Sequence, residues 1–149
     1  MSVCNNLRFG RSASAPLAID TQSNFEKRFG VPIIETMGLT ETAAQILSNP
    51  LPPKQRKIGS PGVAFGNDVK ILKDDGSEQI DNLIGEIAVR GPNIMIEYLD
   101  NVGATKSTIN EDGWLLTGDL GYMDDDGYVF VSGRLKAVSY THLTLPTKA

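Results

Sequence analysis

One cysteine and one histidine in 149 residues set the first limits. A single thiol, Cys4, cannot close an internal disulfide, so nothing here calls for an oxidising compartment. Cys4 also stands apart from every motif described below and is assigned no catalytic role. No apolar run approaches the roughly 20 residues of a membrane-spanning helix. The first nine residues lack the charged and apolar regions of a secretory signal. Lys and Arg number 14 against 18 Asp and Glu, for a net charge of −4, and no basic run is present. That excludes nucleic acid and anionic membrane as the main partner surface. A Walker-type glycine-rich phosphate loop is missing too, and no internal repeat is seen. What remains is an ordinary globular composition, 40% apolar and 21% charged, expected in the cytoplasm and long enough to bury about two-thirds of its unfolded surface.

The first fifty residues read as strand, helix, strand. Leu7-Arg-Phe9 is a short apolar run that ends in a small-residue loop, Gly10 to Ala15. Pro16 suits the first turn of a helix, where its missing N–H costs nothing. Phe25 and Phe29 lie one helical turn apart, and Gly30 suits a helix end. Val31-Pro-Ile-Ile34 reads as a buried strand running into Gly38, and the unit is compatible with a parallel crossover. From Asn49 to Gly62 the prolines and glycines of Asn49-Pro-Leu-Pro-Pro53 and Gly59-Ser-Pro-Gly62 mark a loop or linker.

Beyond the linker the pattern turns strand-rich. Val69 to Leu72, Gly85 to Arg90, Ile94 to Leu99, Trp114 to Thr117, Leu120 to Met123 and Tyr128 to Ser132 are candidate strands, with Asp74-Asp-Gly76 and Asp124-Asp-Asp-Gly127 as turns. Asn101 to Ile109 reads as one short helix. Ile87, Val89, Val129 and Val131 are core candidates. The acid pair Asp125 and Asp126 belongs to a solvated turn and is not read as a metal site. After Lys136 no periodic pattern continues. Residues 137–149, which include His142, resemble translated vector or adapter sequence and are set aside, so His142 has no catalytic role.

Two short stretches carry chemistry. Met37-Gly-Leu-Thr-Glu41 puts a hydroxyl beside a carboxylate just after a strand. That pair can bond a phosphate oxygen and ligate hard Mg²⁺, or, taken alone, simply form a helix N-cap with an acidic first turn. Leu116-Thr-Gly-Asp-Leu120 offers Asp119, whose two oxygens can accept from two vicinal hydroxyls, as a ribose diol presents them. By itself it is equally a turn aspartate after Gly118.

Taken together with Trp114 and the downstream pair Gly133-Arg134, these stretches resemble the adenylate-forming superfamily of AMP-dependent synthetases and ligases: acyl-CoA synthetases, luciferases and the adenylation domains of peptide synthetases. Arg11 to Leu17 is similar to that family's adenine-side loop of small residues, with Ala13 where the family has glycine and Ser14 where it has the next alanine. Met37 stands where it usually has tyrosine, and Glu97-Tyr98 where it commonly has Gly-Tyr. Gly85-Glu-Ile-Ala-Val-Arg-Gly91 resembles a structural strand of its barrel subdomain. The resemblance runs from about residue 7 to 136. It does not include the family's phosphate-gripping loop or its C-terminal catalytic lysine, so these residues by themselves are expected to be inactive.

The resemblance implies an α/β fold, a piece of the large N-terminal domain. Residues 1–50 would end an α/β subdomain bearing the adenine and phosphate motifs, 51–62 would be a Pro/Gly-rich loop, 63–132 a β-barrel-like subdomain, and 133–136 the start of a hinge at Lys136. It implies ATP, AMP and adenine contacts at Ser14, Ala15, Pro16, Met37, Gly38, Thr40, Asp119 and Arg134. Thr40 and Glu41 would be catalytic, with Glu41 holding Mg²⁺. The implied activity is ATP-dependent activation of a carboxylic acid and its transfer to coenzyme A. Ser48-Asn-Pro-Leu-Pro-Pro53 and Leu7-Arg-Phe-Gly-Arg-Ser12 look most like oxalate and other small-acid ligases, with fatty acyl-CoA ligases next. The implied partners are the acid, ATP, CoA and further subdomains of a longer chain. An adenylation domain that loads a carrier protein, and a non-catalytic nucleotide-binding or interaction module, remain as alternatives.

Overall fold

The computed structural model describes residues 6–135, so the expected hinge residue Lys136, His142 and the 137–149 tail lie outside it, as does Cys4. Strand β1 (Gly10–Ser12) lies parallel to β2 (Ile33–Gly38), and helix α1 (Ile19–Phe29) makes the crossover between them. Next come a 3₁₀ turn at Thr40–Thr42, β3 (Gln45–Ser48) and β4 (Val63–Ala64), which complete a sheet of order β1-β2-β3-β4. A second sheet is antiparallel, of order β5-β6-β7-β8: β5 (Asp68–Leu72), β6 (Gly85–Arg90), β7 (Leu115–Met123) and β8 (Val129–Arg134). Helix α2 (Val102–Thr108) precedes β7 and is capped by Asn101, whose side chain accepts from the Ala104 amide.

The mixed α/β class agrees with the sequence reading, and several boundaries do not. Leu7 to Phe9 is exposed coil, and pairing starts only at Gly10, whose amide donates to the Pro32 carbonyl. Pro32 has no N–H to return a bond, so the ladder cannot extend upstream. The helix begins at Ile19 rather than Pro16, because the Leu17 amide is drawn to Glu35 Oε1 on β2 (3.3 Å). Ile94 to Leu99 is irregular. Its polar groups are spent elsewhere: the Met95 amide on the Glu41 carbonyl, the Asn93 amide group on the Thr42 carbonyl and the Tyr98 amide on Thr105 Oγ1.

The expected strands Trp114 to Thr117 and Leu120 to Met123 merge into one, β7, which starts at Leu115 just after Trp114 and has irregular register opposite β6 and β8. β3 and β4 had no expectation attached. Among the described residues the second sheet is open rather than closed into a barrel, with β5 and β8 at its edges.

One core joins both sheets. Ile46 and Leu47 of β3 pack with Ile71, Ile87, Val89 and Val129 of the second sheet, and Val131 adds to it from the half-buried rim. The stretch read as a linker works as a clamp. Arg56 grips Glu26 of α1 with two bonds (2.7 and 3.0 Å) and also donates to the Ile33 carbonyl (2.9 Å). Lys57 bridges Asp124 and Asp126 of the β7–β8 turn, each at 2.6 Å. Tyr128 Oη donates to the Gln55 carbonyl, Ser60 Oγ to the Val129 carbonyl, and the Val129 amide to the Gly62 carbonyl. Proline and glycine content foretold a loop; the side chains that tie the loop down on both sheets set its function.

Candidate functional site

The clamp holds the end of β2 against the end of β8, and a cavity of about 450 Å³ opens between them. The loop before α1 contributes Ser14, Ala15 and Pro16; β2 contributes Glu35 to Gly38; β7 contributes Asp119; and β8 contributes Val131 to Arg134. Seven residues singled out from sequence therefore share one wall: Ser14, Ala15, Pro16, Met37, Gly38, Asp119 and Arg134.

Local geometry explains how each is held. Gly38 sits where β2 passes so close to β3 that a Cβ would lie 2.6 Å from the Ala44 carbonyl oxygen and 2.9 Å from Gln45 Cα. Only glycine permits that approach. Gly118 has φ +73°, its amide donates to Glu86 Oε1 (2.8 Å), and the ladder opposite it is irregular. Such a break re-aims the side chain that follows it. That side chain is Asp119, 8% exposed and paired with Arg134 Nε at 2.8 Å across the β7–β8 register. Burial pushes the Asp119 carboxyl above the usual aspartate range, and Arg134 opposes the shift without cancelling it. The reason is that Arg134 is 59% exposed and its charge is largely screened by water.

Glu41 does not reach this cavity. It faces an adjoining cleft of about 550 Å³ with Glu86, Tyr98, Thr117 and Gly118, and Leu39 and Arg134 border both spaces. Tyr98 Oη donates to Glu41 Oε1 at 2.7 Å, and this bond holds the carboxyl below the usual glutamate range. Thr40 is exposed on the 3₁₀ turn and lines neither space. The buried threonine of the turn is Thr42, whose hydroxyl accepts from the Leu39 amide and stabilises the turn.

Sequence reasoning missed Glu35 and Tyr98. Glu35 is 5% exposed, accepts a bond from the Leu17 amide, and leaves Oε2 buried without a partner beside the cavity. Desolvation pushes its carboxyl above the usual range. A carboxylate inside a strand otherwise read as buried was the available signal, because unpaired acidic side chains are seldom fully buried without purpose. Tyr98 stood out only within the Glu97-Tyr98 pair, and its contact with Glu41, across 57 residues of sequence, is not readable from that pair.

A family model described as AMP-binding enzyme matches residues 2–99. The chain belongs to that family. Sulfoacetate–CoA ligase of Cupriavidus necator is 49% identical over 130 residues, covering 87% of this chain and 26% of that protein. Oxalate–CoA ligase of Arabidopsis thaliana is 44% identical over 131 residues, covering 87% and 25%. Among solved structures, ATP-bound MatB from Rhodopseudomonas palustris matches with a TM-score of 0.82 at 37% identity, over 87% of this chain and 26% of that one. The chain spans about a quarter of the length of the curated relatives it matches. Among the described residues, no helix of this AMP-binding family member is long and apolar enough to cross a membrane.

Proposed function

We propose that these residues form the adenylate-binding part of an AMP-forming acid–thiol ligase. In the reaction a carboxylate oxygen attacks the α-phosphorus of ATP, the bond to pyrophosphate breaks, and the acyl-adenylate then passes its acyl group to the sulfur of coenzyme A with release of AMP. The observation that carries this reading is the single cavity gathering Ser14 to Pro16, Met37-Gly38, Asp119 and Arg134 from four separated segments. Its mix of small apolar surface and a buried carboxylate suits a nucleoside.

In this reading the two oxygens of Asp119 accept from the ribose 2′,3′-diol, and Arg134 both orients that carboxylate and supplies a second ribose contact. Ser14, Ala15 and Pro16 let adenine approach backbone closely, and the Met37 thioether packs on the ring face. Glu35 Oε2, buried and unpartnered, is a ready acceptor for the adenine 6-amino group. Thr40, exposed on its turn, is available to a phosphate oxygen.

Glu41 fits a Mg²⁺ ion. It is kept ionised by Tyr98 and points into a cleft. Among the described residues no group of three or more acidic, His or Cys side chains gathers, which suits a cation held chiefly by phosphate oxygens and water with one protein carboxylate. When bound, the ion would neutralise phosphate charge. Lys136, outside the described residues, would serve as the hinge to a following domain. A division into 1–50, 51–62 and 63–132 follows the two sheets and the clamp approximately, since β4 (Val63–Ala64) pairs with β3 of the first sheet and the core is shared.

Relatives named as CoA ligases favour CoA over a carrier-bound thiol as acceptor. Sulfoacetate and oxalate, the acids in those names, favour a short acid over a fatty one. A cytoplasmic location suits a reaction that consumes ATP and a reduced thiol. The test is acid-dependent pyrophosphate–ATP exchange, followed by CoA thioester formation, by a full-length protein carrying these residues. Exchange with at least one short acid is expected. Absence of exchange with every acid, together with no AMP binding, would overturn the reading.

A further inference from the structure

The 3₁₀ turn Thr40–Thr42 is held by its own bonds. The Thr42 and Ala43 amides donate to the Leu39 and Thr40 carbonyls, and the Leu39 amide donates to Thr42 Oγ1. Residues 93–98 hold it a second time from across the chain. The Met95 amide donates to the Glu41 carbonyl at 2.8 Å, and the Asn93 side chain donates to the Thr42 carbonyl at 3.0 Å. With the backbone of the turn thus secured, one bond from the same stretch does something else. Tyr98 Oη donates to Glu41 Oε1 at 2.7 Å, which fixes a side chain rather than the turn. A glutamate so placed would otherwise sample several rotamers. Tyr98 is itself held on both sides by α2 and its cap: its amide donates to Thr105 Oγ1 (2.9 Å), and its carbonyl accepts from the Asn101 amide (3.1 Å). Its neighbours Ile96 and Leu99 are exposed, whereas Tyr98 is half-buried and lines one cleft with Glu41.

We propose that Tyr98 is a positioning residue, which takes one oxygen of Glu41 and thereby turns the other toward a divalent cation on the nucleotide phosphates. The inference rests on the ligase reading above, with Glu41 as the carboxylate for that cation. In this role Tyr98 acts through Glu41 and needs no contact of its own with nucleotide or acid. A carboxylate free to rotate can approach a cation with either oxygen or with both. With Oε1 occupied by a hydroxyl donor, Oε2 is the oxygen offered. That one-point contact suits a small octahedral ion that keeps its water and phosphate ligands. The identity of the donor matters too. Arg134 borders the same cleft but is paired with Asp119. The group on Glu41 is therefore a neutral hydroxyl, which orients the carboxylate without cancelling the charge a cation needs. The cleft shares Leu39 and Arg134 with the cavity proposed for the nucleoside, which opens it to phosphates attached there. Hydrogen bonds of this kind to a ligating carboxylate are typically worth about 10- to 100-fold in metal affinity.

The test uses Mn²⁺ as the probe and a full-length protein carrying these residues, with ATP and no acid, so that no turnover occurs. Calorimetric titrations with and without Mn²⁺ give the gain in ATP affinity that the ion confers. By linkage, a loss of ion affinity in the ATP complex appears as the same loss in that gain. AMP affinity without metal checks the fold and the nucleoside site. Tyr98→Phe, which removes only the hydroxyl, should cut the Mn²⁺ gain by about 10- to 100-fold and leave AMP affinity unchanged. In pyrophosphate–ATP exchange the half-saturating Mg²⁺ should rise, and excess Mg²⁺ should restore the rate. In a Glu41→Ala background Tyr98→Phe should cost nothing further, because a residue that acts through Glu41 has nothing left to orient. Glu41→Asp, which keeps the charge but draws it back from Tyr98, should also lose most of the gain, and it carries the test if Tyr98→Phe no longer binds AMP. No Mn²⁺ gain in wild type, an unchanged gain in Tyr98→Phe or Glu41→Asp, or an equal further loss on adding Tyr98→Phe to Glu41→Ala overturns the positioning role and leaves the ligase reading intact. No AMP binding and no exchange by wild type with any acid overturns both.

Discussion

Replacing Asp119 should separate nucleotide binding from stability, and the structure sets the size of each effect. Its carboxylate would accept two hydroxyl bonds from ribose, and a hydrogen bond to a charged group contributes about 1.5–3 kcal/mol. Even at the low end, two lost bonds amount to about 3 kcal/mol, or roughly 100-fold in AMP affinity for Asp119→Ala. The partner left behind adds little, because Arg134 is 59% exposed and stays hydrated. The fold should respond in the opposite sense to Asp119→Asn. Burial raises the native pKa of Asp119 above its unfolded value, so the ionised group disfavours folding at neutral pH and the protonated one does not. Removing the charge with near-constant shape should therefore leave neutral-pH stability unchanged or higher. By the same shift, wild-type AMP affinity should decline on acidification from above the ordinary aspartate range, and Asp119→Asn should lose that dependence. Calorimetric AMP titrations in full-length wild type and variants, paired with thermal melts, test both halves. Unchanged AMP affinity with a lowered melting temperature would make Asp119 a structural turn residue and refute the argument.

Glu26 has its pKa lowered from 4.5 to about 2, first by the Arg56 bonds; that gap caps its contribution near 3 kcal/mol, and side chains about one-fifth exposed reduce it to about 1–2 kcal/mol. Because a depressed native pKa stabilises above the unfolded value, Glu26→Gln should be destabilised above pH 4.5 and converge on wild type as pH falls toward about 2, as measured by urea melts across pH. Gly38→Ala would place a Cβ 2.6 Å from the Ala44 carbonyl oxygen; the backbone must move at a cost of about 1–3 kcal/mol, seen as a lower melting temperature together with weaker AMP binding. A polypeptide of these 149 residues alone should release no pyrophosphate with any acid, since the family's phosphate loop and catalytic lysine are not among its motifs and electrostatic contributions of that kind are each typically about 3–4 kcal/mol; acid-dependent turnover above background would contradict this.

Val69 to Leu72 and Gly85 to Arg90 could be read from the chain as short apolar runs bounded by turn residues, and they appear within a residue of expectation. They do not alternate simply between core and water, because Ile71, Ile87 and Val89 pack in the core shared with β3 while Leu72 and Ala88 pack with Trp114 in a second cluster. The Asp119 motif was readable for a different reason: its glycine, aspartate and downstream arginine lie close enough along the chain to suggest one turn and one hairpin. Ile94 to Leu99 was misread because its apolar residues imitate a strand while its partners lie far away, on the Thr40–Thr42 turn and on α2. Ile96 and Leu99 are 92% and 87% exposed, so apolar content there reports no burial within these residues. Glu35 left one signal, a carboxylate inside a buried strand, but that the Leu17 amide satisfies only one of its oxygens is a tertiary fact the strand pattern does not carry.

The clamp explains why the two halves of the cavity keep their spacing. β1 and β2 bring the Ser14–Pro16 loop and Met37-Gly38, while β7 and β8 bring Asp119 and Arg134, and among the described residues no ladder runs from one sheet to the other beyond the Gly62–Val129 bridge. A cavity between two sheets is only as fixed as whatever spans them. Here Arg56, Lys57 and Ser60, within five residues of one another, reach α1, the β7–β8 turn and β8 in succession. The Arg56–Glu26 pair has both side chains about one-fifth exposed, which keeps it less screened than a surface pair, whereas Asp126, 69% exposed, makes its pair with Lys57 a surface one. The contrast with α1 is informative. That helix buries only Gln22 and is fastened mainly by polar bonds from Gln22 and Glu26. Stability is therefore concentrated in the shared core and the clamp, next to the cavity, while the apolar side chains Ile19, Phe65, Ile80 and Ile96 are exposed and add nothing to it. The nucleotide site proposed for this cavity would need fixed geometry at the strand ends more than a stable outer helix, and the packing of these residues is distributed in that way.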